Sequence, residues 1–111
     1  MTTTESRTTA MEYAVGALTD LTPGEGRTYT VGGRQIAVFL LGDGAVRALD
    51  AVCPHRGGPL ADGQIDNDLV VCPLHQYAFV FDSGRCTAPG IDPVRTYPAR
   101  VHDGRIVVTV G

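Results

Sequence analysis

At 111 residues, the chain has the length of one domain with a modest core. Its net charge of −3 excludes the basic surface that nucleic-acid binding requires. The longest clean apolar run, Ala37 to Leu41, is far too short to span a bilayer, and the polar first ten residues lack the apolar stretch of a signal peptide. The expectation is a soluble, cytoplasmic protein with no membrane contact.

Three cysteines, an odd count, argue against a disulfide framework and fit a reducing compartment. The 14 glycines and 7 prolines fall between apolar runs rather than in a repeat, which reads as a turn-rich all-β chain.

Residues 1–10 read as a disordered tail, and residues 11–111 as a single domain. Glu12 to Leu18 alternates as a first strand, with Tyr13, Val15 and Ala17 on one face. Thr22-Pro23-Gly24-Glu25-Gly26 is a turn, followed by a strand from Arg27 to Val31. Gly32-Gly33 signals a tight hairpin leading into Gln35 to Leu41, a mostly buried strand. After Gly42-Asp43-Gly44, Ala45 to Ala51 is extended, with Val46 and Leu49 in the core and Arg47 and Asp50 facing water or partners.

Between Ala61 and Val71 the sequence predicts turns at Asp62-Gly63 and around Asp66-Asn67-Asp68, then a short strand, Leu69 to Val71. Tyr77 to Phe81 returns as a strand, Asp82 to Arg85 turns, and 87–93 is a rigid loop. Val94 to Val101 and Ile106 to Val110 are the last strands, joined by a turn at His102 to Arg105. No segment keeps a helical period with caps. About eight to ten short strands with regular turn signals predict an antiparallel sandwich or barrel.

The chemistry concentrates in two boxes, Cys53-Pro54-His55-Arg56-Gly57-Gly58-Pro59-Leu60 and Cys72-Pro73-Leu74-His75-Gln76-Tyr77. Each offers one thiolate and one imidazole from a loop at a strand end. Soft thiolates suit zinc, copper(I) and iron–sulfur clusters, and imidazole suits zinc, copper and iron. A zinc site usually pairs like with like at fixed local spacing, whereas here both boxes are mixed. Two mixed boxes can serve a binuclear centre, the two cysteines on one iron and the two histidines on the other, which is the ligand set of a Rieske [2Fe–2S] centre. A mononuclear structural zinc in a non-redox binding module is the alternative that the same donors allow.

At these residues the chain resembles the Rieske ferredoxin family. The resemblance covers Cys53, His55, Cys72 and His75, with Gly57-Gly58-Pro59-Leu60 and Ala61-Asp62-Gly63. It implies a Rieske-type antiparallel β-sandwich with a small cluster-binding subdomain of two loops, roughly residues 50–80. It also implies one [2Fe–2S] cluster per chain, with Cys53 and Cys72 on the buried iron and His55 and His75 on the outer one. Within the family, Pro23 to Gly26, Ile36 to Phe39, Phe81 to Cys86 and Tyr97 to Val101 look most like the small subunit of NAD(P)H-dependent assimilatory nitrite reductase. The boxes and Ala61-Asp62-Gly63 also look like the ferredoxin of multicomponent aromatic-ring oxygenases. The implied partners are a large nitrite reductase subunit, or a ferredoxin reductase and a terminal oxygenase.

High-potential members add one cysteine per loop to form a bridge, and place Ser and Tyr donors after the second histidine. Here Gly58 and Leu74 stand at the bridge positions, and Tyr77 and Phe79 at the donor positions. The expected reduction potential is therefore at the low end of the Rieske range, about −150 mV. Gly57 and Gly58 leave room for backbone N–H groups near the cluster sulfurs. An apolar collar of Pro54, Pro59, Leu60, Leu74 and Pro89 is expected around the outer ligands. Cys86 reads as a buried, inert thiol and His102 as a solvent-facing turn residue. No triad, phosphate loop or dinucleotide fingerprint is present, so the chain is expected to carry electrons and not to transform a substrate alone.

Overall fold

The computed structural model describes residues 11–53, 58–73 and 77–110. The expected tail, residues 1–10, lies outside them. Ten strands occur among the described residues: β1 (Met11–Ala17), β2 (Gly26–Val31), β3 (Arg34–Leu40), β4 (Val46–Asp50), β5 (Gln64–Ile65), β6 (Leu69–Val71), β7 (Ala78–Val80), β8 (Thr96–Tyr97), β9 (Ala99–His102) and β10 (Arg105–Val110). Two single 3₁₀ turns, Leu18–Asp20 and Leu60–Asp62, interrupt them. The all-β expectation holds.

The strands form three antiparallel sheets, ordered β1-β10-β9, β2-β3-β4-β8 and β5-β6-β7. The second sheet is the middle layer, and the side-chain period of two explains how. In β3 and just after it, Ile36, Val38 and Leu40 enter one apolar core, while Ala37, Phe39 and Leu41 enter the other. In β4 and just after it, Val46 and Ala48 point to the first core, and Leu49 and Ala51 to the second. A strand buried on both faces reads as a continuous apolar run, as Ile36 to Leu41 does. Each large side chain taken fully out of water contributes about 1.5–3 kcal/mol.

The first core is closed by the outer sheet, with Ile106 and Val108 of β10, and Tyr13 and Val15 of β1 packed against it. The register of β1 on β10 shifts between Ala14 and Gly16, so Val15 sits at a bulge in the predicted alternation. The second core lies under the small sheet and the two loops, with Leu60, Val70, Phe79, Phe81 and Val94. The Phe39 and Phe81 rings meet at 5.5 Å between centroids and tie the middle sheet to this side. This is the expected sandwich plus small subdomain, although the core under the loops also draws on residues 81–94.

Two strand assignments differ from the sequence reading. The stretch from Val94 to Val101 is two strands on different sheets, because Pro98 has no N–H to continue the β4 ladder. Its carbonyl instead accepts the Thr109 N–H at 2.9 Å. Gln64–Ile65, read as part of a turn-rich connection, is a two-residue strand pairing with Val71 and Val70.

Candidate metal centre

The two loops that begin at Cys53 and Cys72 are closed in the same way. The Cys53 N–H donates to the Gly58 carbonyl at 2.8 Å, and the Cys72 N–H to the Tyr77 carbonyl at 2.7 Å. Just outside each loop the flanking residues pair antiparallel, Val52 with Pro59 and Val71 with Ala78. Two fingers of equal length therefore hang from antiparallel stems, and each presents its cysteine at the same place on the stem. Both cysteine N–H groups are committed to closing their loops.

The two thiols are buried. Cys53 is 1 % exposed and Cys72 0 %, and both belong to the core beneath the small sheet. Neither forms a disulfide, so both thiols remain as donors. Two buried thiols at the ends of matched loops are a soft donor pair that suits iron–sulfur or zinc. The other two expected ligands, His55 and His75, lie outside the described residues, as do Pro54, Arg56, Gly57 and Leu74. Among the described residues no three His, Cys, Asp or Glu side chains converge.

Close packing fixes the stem of the second finger. A side chain at Gly63 would run into the carbonyl of Val71, the residue before Cys72. Asp66 caps the turn into β6, accepting the Asp68 and Leu69 N–H groups at 2.7 and 2.9 Å. A cavity of about 260 Å³, lined by Asp62, Gln64, Val71, Cys72 and Pro73, opens beside this finger.

The stem of the first finger is held differently. Asp50, the last residue of β4, was expected to face water or partners. It is instead half-buried and gripped: the Tyr97 hydroxyl donates to Oδ1 at 2.6 Å, and the Arg95 N–H donates to Oδ2 at 3.0 Å. The Arg95 guanidinium lies 5.4 Å above the Tyr97 ring centroid. Burial, followed by the hydrogen bond to Asp50 and its charge, raises the Tyr97 pKa, while Arg34 and Arg95 act to lower it. Nothing local in the sequence pairs Asp50 with Tyr97, so composition and spacing passed over this contact.

The collar expectation holds in part. Pro59 and Pro89 are exposed, but Leu60 is fully buried, because the 3₁₀ turn it starts drives it into the core. The exposed apolar neighbours missed by the sequence reading are Val52, at 46 %, and Pro73. Cys86 is buried, as expected, and its backbone pairs antiparallel with Phe79. His102 faces solvent, 3.4 Å from Asp103. No helix of the described residues is long and apolar enough to cross a membrane.

Comparison with known proteins places the fold in a family. The anthranilate 1,2-dioxygenase ferredoxin subunit of Burkholderia cepacia is 37 % identical over 106 residues, spanning 94 % of this chain and 96 % of that protein. The solved structure of a proposed NADH-dependent nitrite reductase small subunit from Mycobacterium tuberculosis superposes with a TM-score of 0.85 at 33 % identity, covering 92 % of this chain and 96 % of the other. The ferredoxin of carbazole 1,9a-dioxygenase from Nocardioides aromaticivorans gives 0.79 at 32 %, covering 88 % and 96 %. Residues 11–98 match the Rieske [2Fe-2S] domain. With its buried thiol pair and matched loops, the chain belongs to the Rieske [2Fe-2S] family and is an electron-transfer domain that binds a [2Fe-2S] cluster.

Proposed function

We propose that Cys53, His55, Cys72 and His75 hold the cluster, and that the chain is a diffusing one-electron carrier between a reductase and an oxygenase. The buried, matched positions of Cys53 and Cys72 support the thiolate half of this set, and the box pattern supports the imidazole half. When bound, the cluster supplies a one-electron couple, tuned by ligand identity, charge and hydrogen bonds to its sulfurs. The protein excludes water from the thiolate side with Leu60, Phe79 and Phe81, and leaves Val52, Pro59 and Pro73 at the surface beside the loops.

The observation that carries the carrier role is the small extent of apolar surface among the described residues. Among the described residues the exposed large hydrophobic side chains are Met11, Val52 and Val101, and of these only Val52 adjoins a ligand loop. A permanent subunit interface is large and apolar, whereas a transient redox encounter needs only a small patch. The identity with the Burkholderia ferredoxin subunit over nearly the whole chain supports the same partner class. A second reading, the small subunit of an NAD(P)H-dependent nitrite reductase, is supported by the TM-score of 0.85 with the Mycobacterium protein. The cytoplasm is the proposed compartment under either reading.

The test is an EPR spectrum of dithionite-reduced protein, with iron, zinc and sulfide analysis, on wild type and on the Cys53→Ser and Cys72→Ser chains. The wild type is expected to show a spin-half signal of mixed His/Cys type with two irons, and each variant to lose it. A colourless chain holding zinc would sink the redox reading. Rapid mixing of the reduced chain with a dioxygenase terminal component, and separately with a nitrite reductase large subunit, then assigns the partner by which one reoxidises it.

A further inference from the structure

The two ligand fingers close through the same backbone bond, but their stems rest on different sheets. β6 reaches Cys72 inside the small sheet, between β5 and β7. β4 belongs to the middle sheet and stops at Asp50, leaving Ala51 and Val52 to carry the chain to Cys53. A cluster held by both fingers needs the two sheets fixed relative to each other at this end.

One short segment meets both. At its start, the Val94 N–H donates to the Gly84 carbonyl at 2.9 Å, and the Gly84 N–H donates to the carbonyl of Val80, the last residue of β7, at 2.7 Å. Gly84 has a φ of 75° and no room for a side chain, since the Val94 carbonyl fills that space. At its far end, Arg95 exchanges backbone and side-chain bonds with Asp50: the Asp50 N–H donates to the Arg95 carbonyl at 2.9 Å, and the Arg95 N–H donates to Oδ2. Tyr97 then closes the grip through its hydroxyl. Val94 is buried in the core under the fingers and Tyr97 in the core of the sandwich, so the segment is pinned on both sides.

We infer that residues 94–97 form a strap that sets the spacing of the two ligand fingers, with Asp50 and Tyr97 as its positioning residues. The inference rests on Cys53 and Cys72 being ligands. Its energetic basis is the pair of bonds to one carboxylate. A hydroxyl on a carboxylate at 2.6 Å is a charge-assisted bond, roughly twice as strong as a neutral one. The strap supplies none of the four proposed ligands, and acts by fixing where β4 ends. Displaced ligands change both the electronic signature and the potential of a metal centre, as altered supporting bonds do.

The experiment compares wild type, Tyr97→Phe, Asp50→Ala, Asp50→Asn and, as a control, Arg100→Ala. The last breaks the Arg100–Glu12 ion pair on the outer sheet, far along the chain from either finger. The readouts are EPR g-values, midpoint potential, and the rate of iron loss to a ferrous chelator while circular dichroism reports a folded chain. Tyr97→Phe and Asp50→Ala are expected to move the g-values and potential, and to release iron about tenfold faster, the scale of one bond to a charged group. Asp50→Asn keeps an acceptor oxygen for Tyr97 and is expected to fall between. Arg100→Ala is expected to leave all three readouts at wild-type values. Unchanged g-values and potential in Tyr97→Phe, with iron loss following only global unfolding, would overturn the strap, and that variant decides the matter even where Asp50→Ala does not fold. A wild-type chain without the mixed-ligand signal fails earlier and separately: it removes the ligand reading and this inference with it.

Discussion

The two cores of this molecule share the strands between them and differ in nearly everything else. On the sandwich side, Ile36, Val38, Leu40, Val46, Ile106 and Val108 pack between two sheets with strand on both faces. On the finger side, Phe39, Leu49, Leu60, Val70 and Phe79 pack with the small sheet and the loops, and three thiols share that core. The same strand, β3, feeds the fold with its even-numbered side chains and the site with its odd-numbered ones. The lesson is a division of labour by side-chain direction: a single residue step along β3 separates what keeps the sandwich together from what keeps the cluster dry.

The largest expected effects come from cutting each core in turn. Phe39→Ala removes a fully buried ring that meets Phe81, and Ile106→Ala removes a fully buried side chain from the opposite core. Truncations of this kind cost about 3–5 kcal/mol for Phe and about 2–5 kcal/mol for Ile, read from urea unfolding. The two should separate in iron content: Phe39→Ala is expected to be iron-depleted, whereas folded Ile106→Ala keeps its full complement. Equal iron loss in both variants would erase the distinction between the cores.

Removing the metal should sharpen the same contrast. Metal sites couple to folding of the elements that carry their ligands. After chelation, amide exchange is expected to speed up in residues 58–73 and 77–90 while the β1–β10 pairing retains its protection. Uniform acceleration across both regions would mean that the cores unfold as one unit.

A smaller effect should appear at alkaline pH. Tyr97 has its pKa raised in the folded chain, first by burial and then by Asp50. The stability that its neutral form brings is fully present below the unfolded phenol's pKa of about 10. It is lost as pH rises beyond that value and through the raised folded pKa, because the unfolded chain releases its proton first. Urea midpoints taken across that window are expected to fall more steeply for wild type than for Tyr97→Phe. Parallel slopes would remove Tyr97 as the source.

Much of this division was legible in the sequence. Alternation and glycine punctuation placed most of the strands to within a residue or two, and the two mixed boxes pointed to the family that comparison shows. What stayed hidden was non-local. Pro98 splits a run that looked continuous, since a strand can end by changing sheets without a turn signal. Leu60, beside three prolines and glycines, looked like surface collar until a 3₁₀ turn buried it. Asp50 sits beside core residues in an alternating strand, so solvent was the reasonable expectation, and its partners lie far along the chain. Gln64–Ile65 is too short to show a period at all.

The pairing of Met11 with Val110 has a consequence for the order in which the parts can assemble. β2, β3 and β4 are hairpin neighbours, and each finger closes over a short stretch of chain. Such local contacts cost little chain entropy to form. Among the described residues β1 has no local strand partner: its ladder is to β10, across nearly the whole described length. During synthesis from the N-terminus, the middle sheet and both fingers can therefore take shape while β1 is still an unpaired strand, and the sandwich is sealed only when β10 arrives.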